Sequence, residues 1–365
     1  MIRKFVTVYP GHIDLGDMGQ LATPANERRY SNEQLASVFE KTEAIAKKMD
    51  ALGFDTLWLA EHHFQHEGYE VIPNIPMLAV ELAHHTKRLK IGCAFNVVPT
   101  WHPLRLAEDY ATADILTKGR IVFGVGRGYH TREVETFGNP MLDADANREL
   151  FEEQVEIMLK AFREESFSHQ GKHYTIPPEV PYRGYTLKDI TLVPRPIHQP
   201  VEVWQPIVSG SARGLDFMAR HGIKGVISAT SEDFVGRWFL DYQEAYARHG
   251  RTLQLGEDLI LGFRMSIDDT VEGAIAKARP YFEEHVSAVA ARQVQSPTGA
   301  TLENGVRNRS WLCGPSRDIV AYLKEIEARY PGLDHVMIAW ALSTPRDLMI
   351  QQLTQFAHEV MPAFV

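Results

Sequence analysis

Apolar positions along this chain alternate between two spacings. Short runs rich in apolar and β-branched residues read as strands at Lys4–Tyr9 (KFVTVY), Phe54–Ala60, Leu89–Val98, Arg120–Val125, Val201–Val208, Gly225–Ala229, Leu259–Ile267 and Asp334–Leu342. Between them, apolar residues recur every three to four positions, the period of a helix buried on one face. The first such stretch carries Leu35, Val38, Phe39, Thr42, Ile45, Ala46 and Met49. Ser31 and Gln34 ahead of it have capping-box spacing, and Leu52-Gly53 closes it. Similar patterns cover Ile75–His85, Leu104–Leu116, Arg148–Phe162, stretches beginning at Ser211, near Phe234 and at Val271, then Pro315–Arg329, and a last helix with Met349, Leu353, Phe356 and Val360.

Strands that alternate with helices imply a parallel sheet covered by those helices. Eight regular units predict closure into an α/β fold, the (β/α)8 or TIM barrel, in preference to a doubly wound sheet. Two stretches interrupt the rhythm. Residues 165–200 carry Pro177, Pro178, Pro181, Pro194, Pro196 and Pro200 and read as an insertion after the fourth strand. Residues 296–311 are polar and read as a mobile loop inserted after the seventh. One domain over residues 1–365 is expected.

Composition narrows the partners. The chain has 365 residues, 44% of them hydrophobic, enough for a large core. Its formal net charge is -9, with no cluster of Lys and Arg, so neither nucleic acid nor an anionic membrane is expected as a partner. Cys93 and Cys313 have no metal-type spacing and suit a reducing compartment. The N-terminal MIRKFVTVYPGH lacks the apolar core and cleavage site of a leader, and no run of about 18 apolar residues occurs. A soluble cytoplasmic protein is expected.

In a closed barrel the C-terminal strand ends face one pocket. The second strand ends in Glu61, His62 and His63, the third in Ala94, Phe95 and Asn96, and the fourth in Gly126, Arg127 and Gly128. The fifth is followed by Ser209, Gly210 and Ser211, which open a helix. Small residues at a helix N-terminus expose backbone N–H groups, and an arginine beside them holds two phosphate oxygens at once, so this set predicts a phosphate cradle. Gly124-Val125-Gly126-Arg127-Gly128 lacks the full dinucleotide fingerprint and is read as close packing at the rim. His62, His63 and His66 raise a metallohydrolase, but no closed ligand set can be assembled, and no metal is expected. No G-x-S-x-G elbow of a serine hydrolase is present.

The segments LWLAEHHF, IGCAFNVVPTWHPLR, GRIVFGVGRG and the closing EVMP, in this order, resemble the bacterial luciferase-like family of flavin-dependent monooxygenases. The resemblance implies FMN bound as FMNH2 at the strand C-termini. It implies His62 as the catalytic residue and Glu61 beside the flavin. Ala94, Phe95 and Asn96 would lie beneath the ring, with a non-proline cis peptide near Ala94-Phe95. Arg127, Gly210 and Ser211 would hold the phosphate, and Val208 the flavin edge. The implied chemistry is two-component. A separate NAD(P)H:flavin reductase supplies FMNH2, O2 adds at flavin C4a, and the peroxide oxygenates a small organic substrate by hydroxylation or Baeyer–Villiger insertion. A homodimer of the family's kind is implied, with the apolar second and third helices as the candidate face. Two alternatives on the same fold are a deazaflavin-dependent hydride transferase and a non-catalytic flavin-binding subunit. Gly126 stands where the light-emitting enzymes carry cysteine.

Overall fold

The computed structural model describes residues 1–16, 27–228, 230–290 and 301–364. Eight parallel strands form the barrel: β1 (Lys4–Tyr9), β2 (Thr56–Leu59), β3 (Lys90–Cys93), β4 (Ile121–Gly126), β5 (Val203–Pro206), β6 (Lys224–Ser228), β7 (Leu259–Ile267) and β8 (His335–Ala339). Each pairs with the next, and β8 pairs with β1 through Lys4↔His335 to Thr7↔Ile338, so the sheet closes without an edge. The long helices are α1 (Asn32–Leu52), α2 (Ile75–His85), α3 (Pro103–Leu116), α4 (Ala144–Arg163), α5 (Ala212–His221), α6 (Glu232–Arg248), α7 (Val271–Ala290), α8 (Ser316–Arg329) and α9 (Arg346–Glu359).

Local chemistry sets the element ends. At α1 the Ser31 side chain accepts from the Gln34 N–H at 3.2 Å and the Gln34 side chain accepts from the Ser31 N–H at 3.0 Å, completing the expected capping box. Gly53 ends the helix at φ +84°, a backbone shape that favours glycine. Inward-pointing Val6, Trp58, Trp204, Val226, Ile260 and Met337 fill the barrel, with Trp58 and Trp204 edge-on at 5.8 Å between ring centroids. The outward faces of the strands pack against the helices through a second, much larger core.

Three boundaries differ from the sequence expectation. The strand expected over Leu89–Val98 divides. β3 ends at Cys93, the Ala94–Phe95 peptide bond is cis, and Asn96–Val97 pairs separately with Val125–Gly126. The insertion at 165–200 contains two small hairpins, His169–Gln170 with Thr175–Ile176 and Pro181–Tyr182 with Tyr185–Thr186. The loop expected over 296–311 is structured over its second part, while 296–300 lies outside the described residues. A short helix, Leu302–Arg307, is capped by Thr301, and Trp311–Gly314 runs parallel to the end of β7. Buried Leu302 and Trp311 anchor this segment, which is the packing that a polar average over the stretch conceals. Among the described residues, no helix is long and apolar enough to cross a membrane.

Candidate active site

The C-terminal strand ends surround a cavity of about 820 Å3. Glu61, His62, Ala94, Phe95, Arg127, Val208, Gly210 and Ser211 all line it, so topology brings together eight of the nine residues singled out from sequence. Asn96 is the exception. Its amide donates to Gly124 O at 2.9 Å, and it does not line the cavity; it ties the chain after the cis peptide to β4. Val208 is 78% exposed at the rim.

His62 is held on both sides. Its Nδ1 lies 3.0 Å from Glu133 Oε1, and its Nε2 lies 3.2 Å from the Tyr129 hydroxyl and 3.7 Å from Glu70 Oε1. Glu133 comes from the short helix Thr131–Val134, and its carboxylate also accepts from the His63 backbone N–H and the Gln65 amide. Burial alone would raise the Glu133 pKa. The hydrogen bond from His62 and the charges of His62 and His130 outweigh it and hold the carboxyl below its usual range. An ionised Glu133 keeps a proton on His62 Nδ1 and leaves Nε2 turned towards Tyr129 and the cavity. Tyr129 also donates towards Glu70 Oε1 at 3.0 Å, and His130 Nε2 lies 3.2 Å from Glu70 Oε2. The result is a chain of proton carriers from Glu133 to His130, buried except at Tyr129, which is half exposed.

Glu61 accepts from Trp101 Nε1 at 2.8 Å, His63 Nε2 at 2.9 Å and Thr100 Oγ1 at 3.1 Å, all through Oε1. Its Oε2 is buried without a donor among the described residues. His63 therefore supports Glu61, and the His62, His63 and His66 side chains do not converge on one point. A different trio, His62, Glu70 and His130, has ligand atoms within 4.8 Å of one another, already engaged in the network above.

At the other end of the cavity stand the residues expected to form a phosphate cradle. Ser211 caps α5, its hydroxyl accepting from Gly214 N–H at 3.3 Å, and Gly210 sits at φ +58° with the Trp238 ring where a Cβ would stand. Among the described residues Arg127 donates to two neutral oxygens, Ala144 O and Asn147 Oδ1, both at 3.3 Å. Arg148 of α4, which sequence pattern does not single out, also lines the cavity. Arg148 lies 3.9 Å from Glu152, which Arg213 engages at 2.7 Å. Burial first, then Arg148 and Arg213, lower the Arg127 pKa against the opposing pull of Glu152. Arg127 thus stands beside Arg148, Arg213 and a helix N-terminus with no carboxylate in ion-pair contact among the described residues, an arrangement an anion would complete.

A family description for luciferase-like monooxygenases matches residues 18–333. This chain belongs to that family. It is 29% identical over 233 residues to the alkanal monooxygenase alpha chain of the Kryptophanaron alfredi symbiont, which covers 63% of this chain and 60% of that one. It is 25% identical over 174 residues to the oxygenase component of a flavin-dependent trigonelline monooxygenase from Acinetobacter baylyi, covering 48% and 44%. Both matches thus span less than two thirds of the relative's own length. Among solved structures, the oxygenating constituent of the Pseudomonas putida 3,6-diketocamphane monooxygenase, in complex with FMN, superposes with TM-score 0.75 at 19% identity over 100% and 99% of the two chains. An F420-dependent secondary alcohol dehydrogenase superposes with TM-score 0.70 at 14% identity over 100% of each. These two share the fold, the closed eight-stranded barrel that the alternation of strands and helices predicts.

Proposed function

We propose that this protein is the oxygenase component of a two-component monooxygenase, binding reduced FMN and oxygenating a small organic molecule by hydroxylation or Baeyer–Villiger insertion. The observation that carries the reading is the pairing, in one cavity, of an incomplete anion site at Arg127, Arg148 and the α5 N-terminus with a buried, carboxylate-oriented histidine. The residues fit FMN in two respects. Arg127 has no carboxylate in contact among the described residues, a charge that a phosphate supplies, and Glu61 Oε2 lacks a donor that a flavin ring N–H supplies. Bound reduced FMN supplies two electrons to dioxygen and so delivers the oxygen atom that enters the substrate.

The chain's own part is to bind, enclose and move protons. Arg127, Arg148, Gly210 and Ser211 hold the phosphate. Glu61 and the Ala94-Phe95 backbone position the ring, with Val208 at its edge. His62 gives or takes a proton at Nε2, Glu133 fixes its tautomer, and Tyr129, Glu70 and His130 extend the path. A reductase that makes FMNH2 from NAD(P)H is the expected partner, in keeping with the trigonelline relative's name as an oxygenase component.

The F420-dependent neighbour makes deazaflavin-dependent hydride transfer the second reading. Titration with FMN, riboflavin and the deazaflavin, followed by oxygen uptake with reduced FMN against aldehydes, ketones, terpenoids and aromatics, tests both. FMN binding with substrate-stimulated oxygen uptake is expected. Preference for the deazaflavin, or stoichiometric metal at His62, Glu70 and His130 without flavin affinity, overturns the proposal.

A further inference from the structure

β7 carries an arginine where a barrel interior ordinarily carries an aliphatic or small side chain. Ile260 fills the barrel, and period-two alternation puts Gly262 and Arg264 on the same inward face. Arg264 is in register with Ala339 of β8, and Gly262 with Ser228 of β6; all of these except Gly262 line the cavity. In the ring of eight strands β7 lies opposite β3, so Arg264 enters the cavity across from the Ala94–Phe95 cis peptide and away from the cradle at β4 and β5.

Its charge is unmatched. Arg264 forms no ion pair and its side chain no hydrogen bond among the described residues; the Trp311 ring centroid lies 6.0 Å from its Cζ. Burial is the sole influence on its pKa, which falls to about 10, with no acid to restore it. The other groups at this wall, Ser228, Met337, Ala339 and Trp340, are neutral. Arg264 is half-buried in the cavity wall, and an unpaired guanidinium withdrawn from bulk water is costly and is retained most readily where a ligand completes it. The fork geometry of arginine matches a carboxylate, and the Ser228 hydroxyl, 3.4 Å from where a Cβ on Gly262 would stand, offers another donor from the neighbouring strand.

We propose that Arg264, with Ser228, is a recognition subsite for a carboxylate on the organic substrate. The proposal rests on the reading of this cavity as a flavin oxygenase site and adds the substrate class: an organic acid that presents its carboxylate to β7 and its reacting carbon to the centre of the cavity. The subsite is distinct from the phosphate cradle, since Arg127 directly follows β4 and Arg148 stands on α4.

The test measures binding of benzoate and cyclohexanecarboxylate, and of their methyl esters, by calorimetry on the wild-type protein and on Arg264→Gln and Arg264→Lys, with and without FMN. The expected result is that at least one acid binds the wild type and its ester does not. Arg264→Gln weakens the acid about 10- to 100-fold, and Arg264→Lys weakens it less. FMN affinity is unchanged in both Arg264 variants, which also shows that they fold. Acids and esters binding alike, neither acid binding, or Arg264→Gln weakening FMN and not the acids, overturns the proposal. Arg264-dependent binding of an acid to a protein that fails to bind FMN leaves the subsite standing and removes the flavin reading.

Discussion

His62 Nδ1 and Glu133 Oε1 are 3.0 Å apart, although 71 residues separate them in the chain. The contact decides which imidazole nitrogen meets the cavity. Glu133→Gln preserves shape but offers an amide whose N–H or O faces Nδ1 equally well, so it releases the tautomer. We expect His62→Ala to lower oxygenation about 10²–10⁴-fold, and Glu133→Gln to lower it by a smaller factor while shifting the pH profile of turnover. FMN affinity is the control. An unaltered pH profile for Glu133→Gln, with undiminished turnover, removes the orienting role.

Arg148 lines the cavity on α4, beside Arg127. A charge-assisted hydrogen bond to phosphate is worth roughly 1.5–3 kcal/mol. Arg148→Ala therefore weakens FMN about 10- to 100-fold while leaving riboflavin affinity unchanged, because only FMN carries the phosphate. Equal losses for FMN and riboflavin, measured by fluorescence titration, place the phosphate elsewhere.

These partners show where sequence reading reaches its limit. The barrel follows from alternation, since strand and helix periods are local properties of the chain. Glu61, His62, Ala94, Phe95, Arg127, Val208, Gly210 and Ser211 come together because closure brings all strand ends to one mouth. Glu133 and Glu70 carry no such signal. Both are buried carboxylates, Glu133 on a four-residue helix and Glu70 in the loop after β2, and only their contacts distinguish them from surface acids. Arg148 looks like an ordinary polar-face residue of an amphipathic helix. Arg264 is within reach of pattern: in LILGFRMSI it shares the inward parity of Ile260 and Gly262, and a charge at that parity is the anomaly to notice. Asn96 shows the converse, a residue whose placement pattern alone does not give. It sits at the right strand end, but the separate pairing of Asn96–Val97 with β4 leaves its amide bonded to Gly124 O.

Gly210 tests the cradle's backbone. At φ +58° a side chain is strained, and a Cβ there would stand 2.5 Å from the Trp238 ring. Gly250, at φ +78° with nothing within 4 Å, shares the strain without the clash and lies beyond α6. Each alanine substitution costs about 1–2 kcal/mol from backbone shape alone. Gly210→Ala is expected to cost more than Gly250→Ala in urea unfolding and, unlike it, to weaken FMN binding. Equal behaviour of the two variants argues against a fitted turn at the phosphate.

Lys41 carries the clearest pH dependence of stability. From α1 its Nζ donates to Asp14 Oδ1 at 2.6 Å and Thr344 O at 3.0 Å, and it lies 3.0 Å from His12 Nδ1. The lysine thereby clamps the loop after β1 to the loop after β8. Burial lowers its pKa to about 8, only partly opposed by Asp14. An unfolded chain binds this proton up to about pH 10.4. Between these values the unfolded state holds more protons than the folded one, so this residue's contribution to stability rises with pH across that window. Below pH 8 both states are protonated and the burial penalty is present in full. A tenfold difference in proton affinity is worth about 1.36 kcal/mol, so the change across the window is on the order of 2–3 kcal/mol. Tyr9, Tyr110 and Tyr242, raised by burial, act in the opposite sense above pH 10, so the comparison is best made below it. The difference in unfolding free energy between wild type and Lys41→Met, measured in urea from pH 7 to 9.5, is expected to stay flat to about pH 8 and then move in favour of the wild type. A difference that is constant over the whole range means that Lys41 keeps its proton in both states alike.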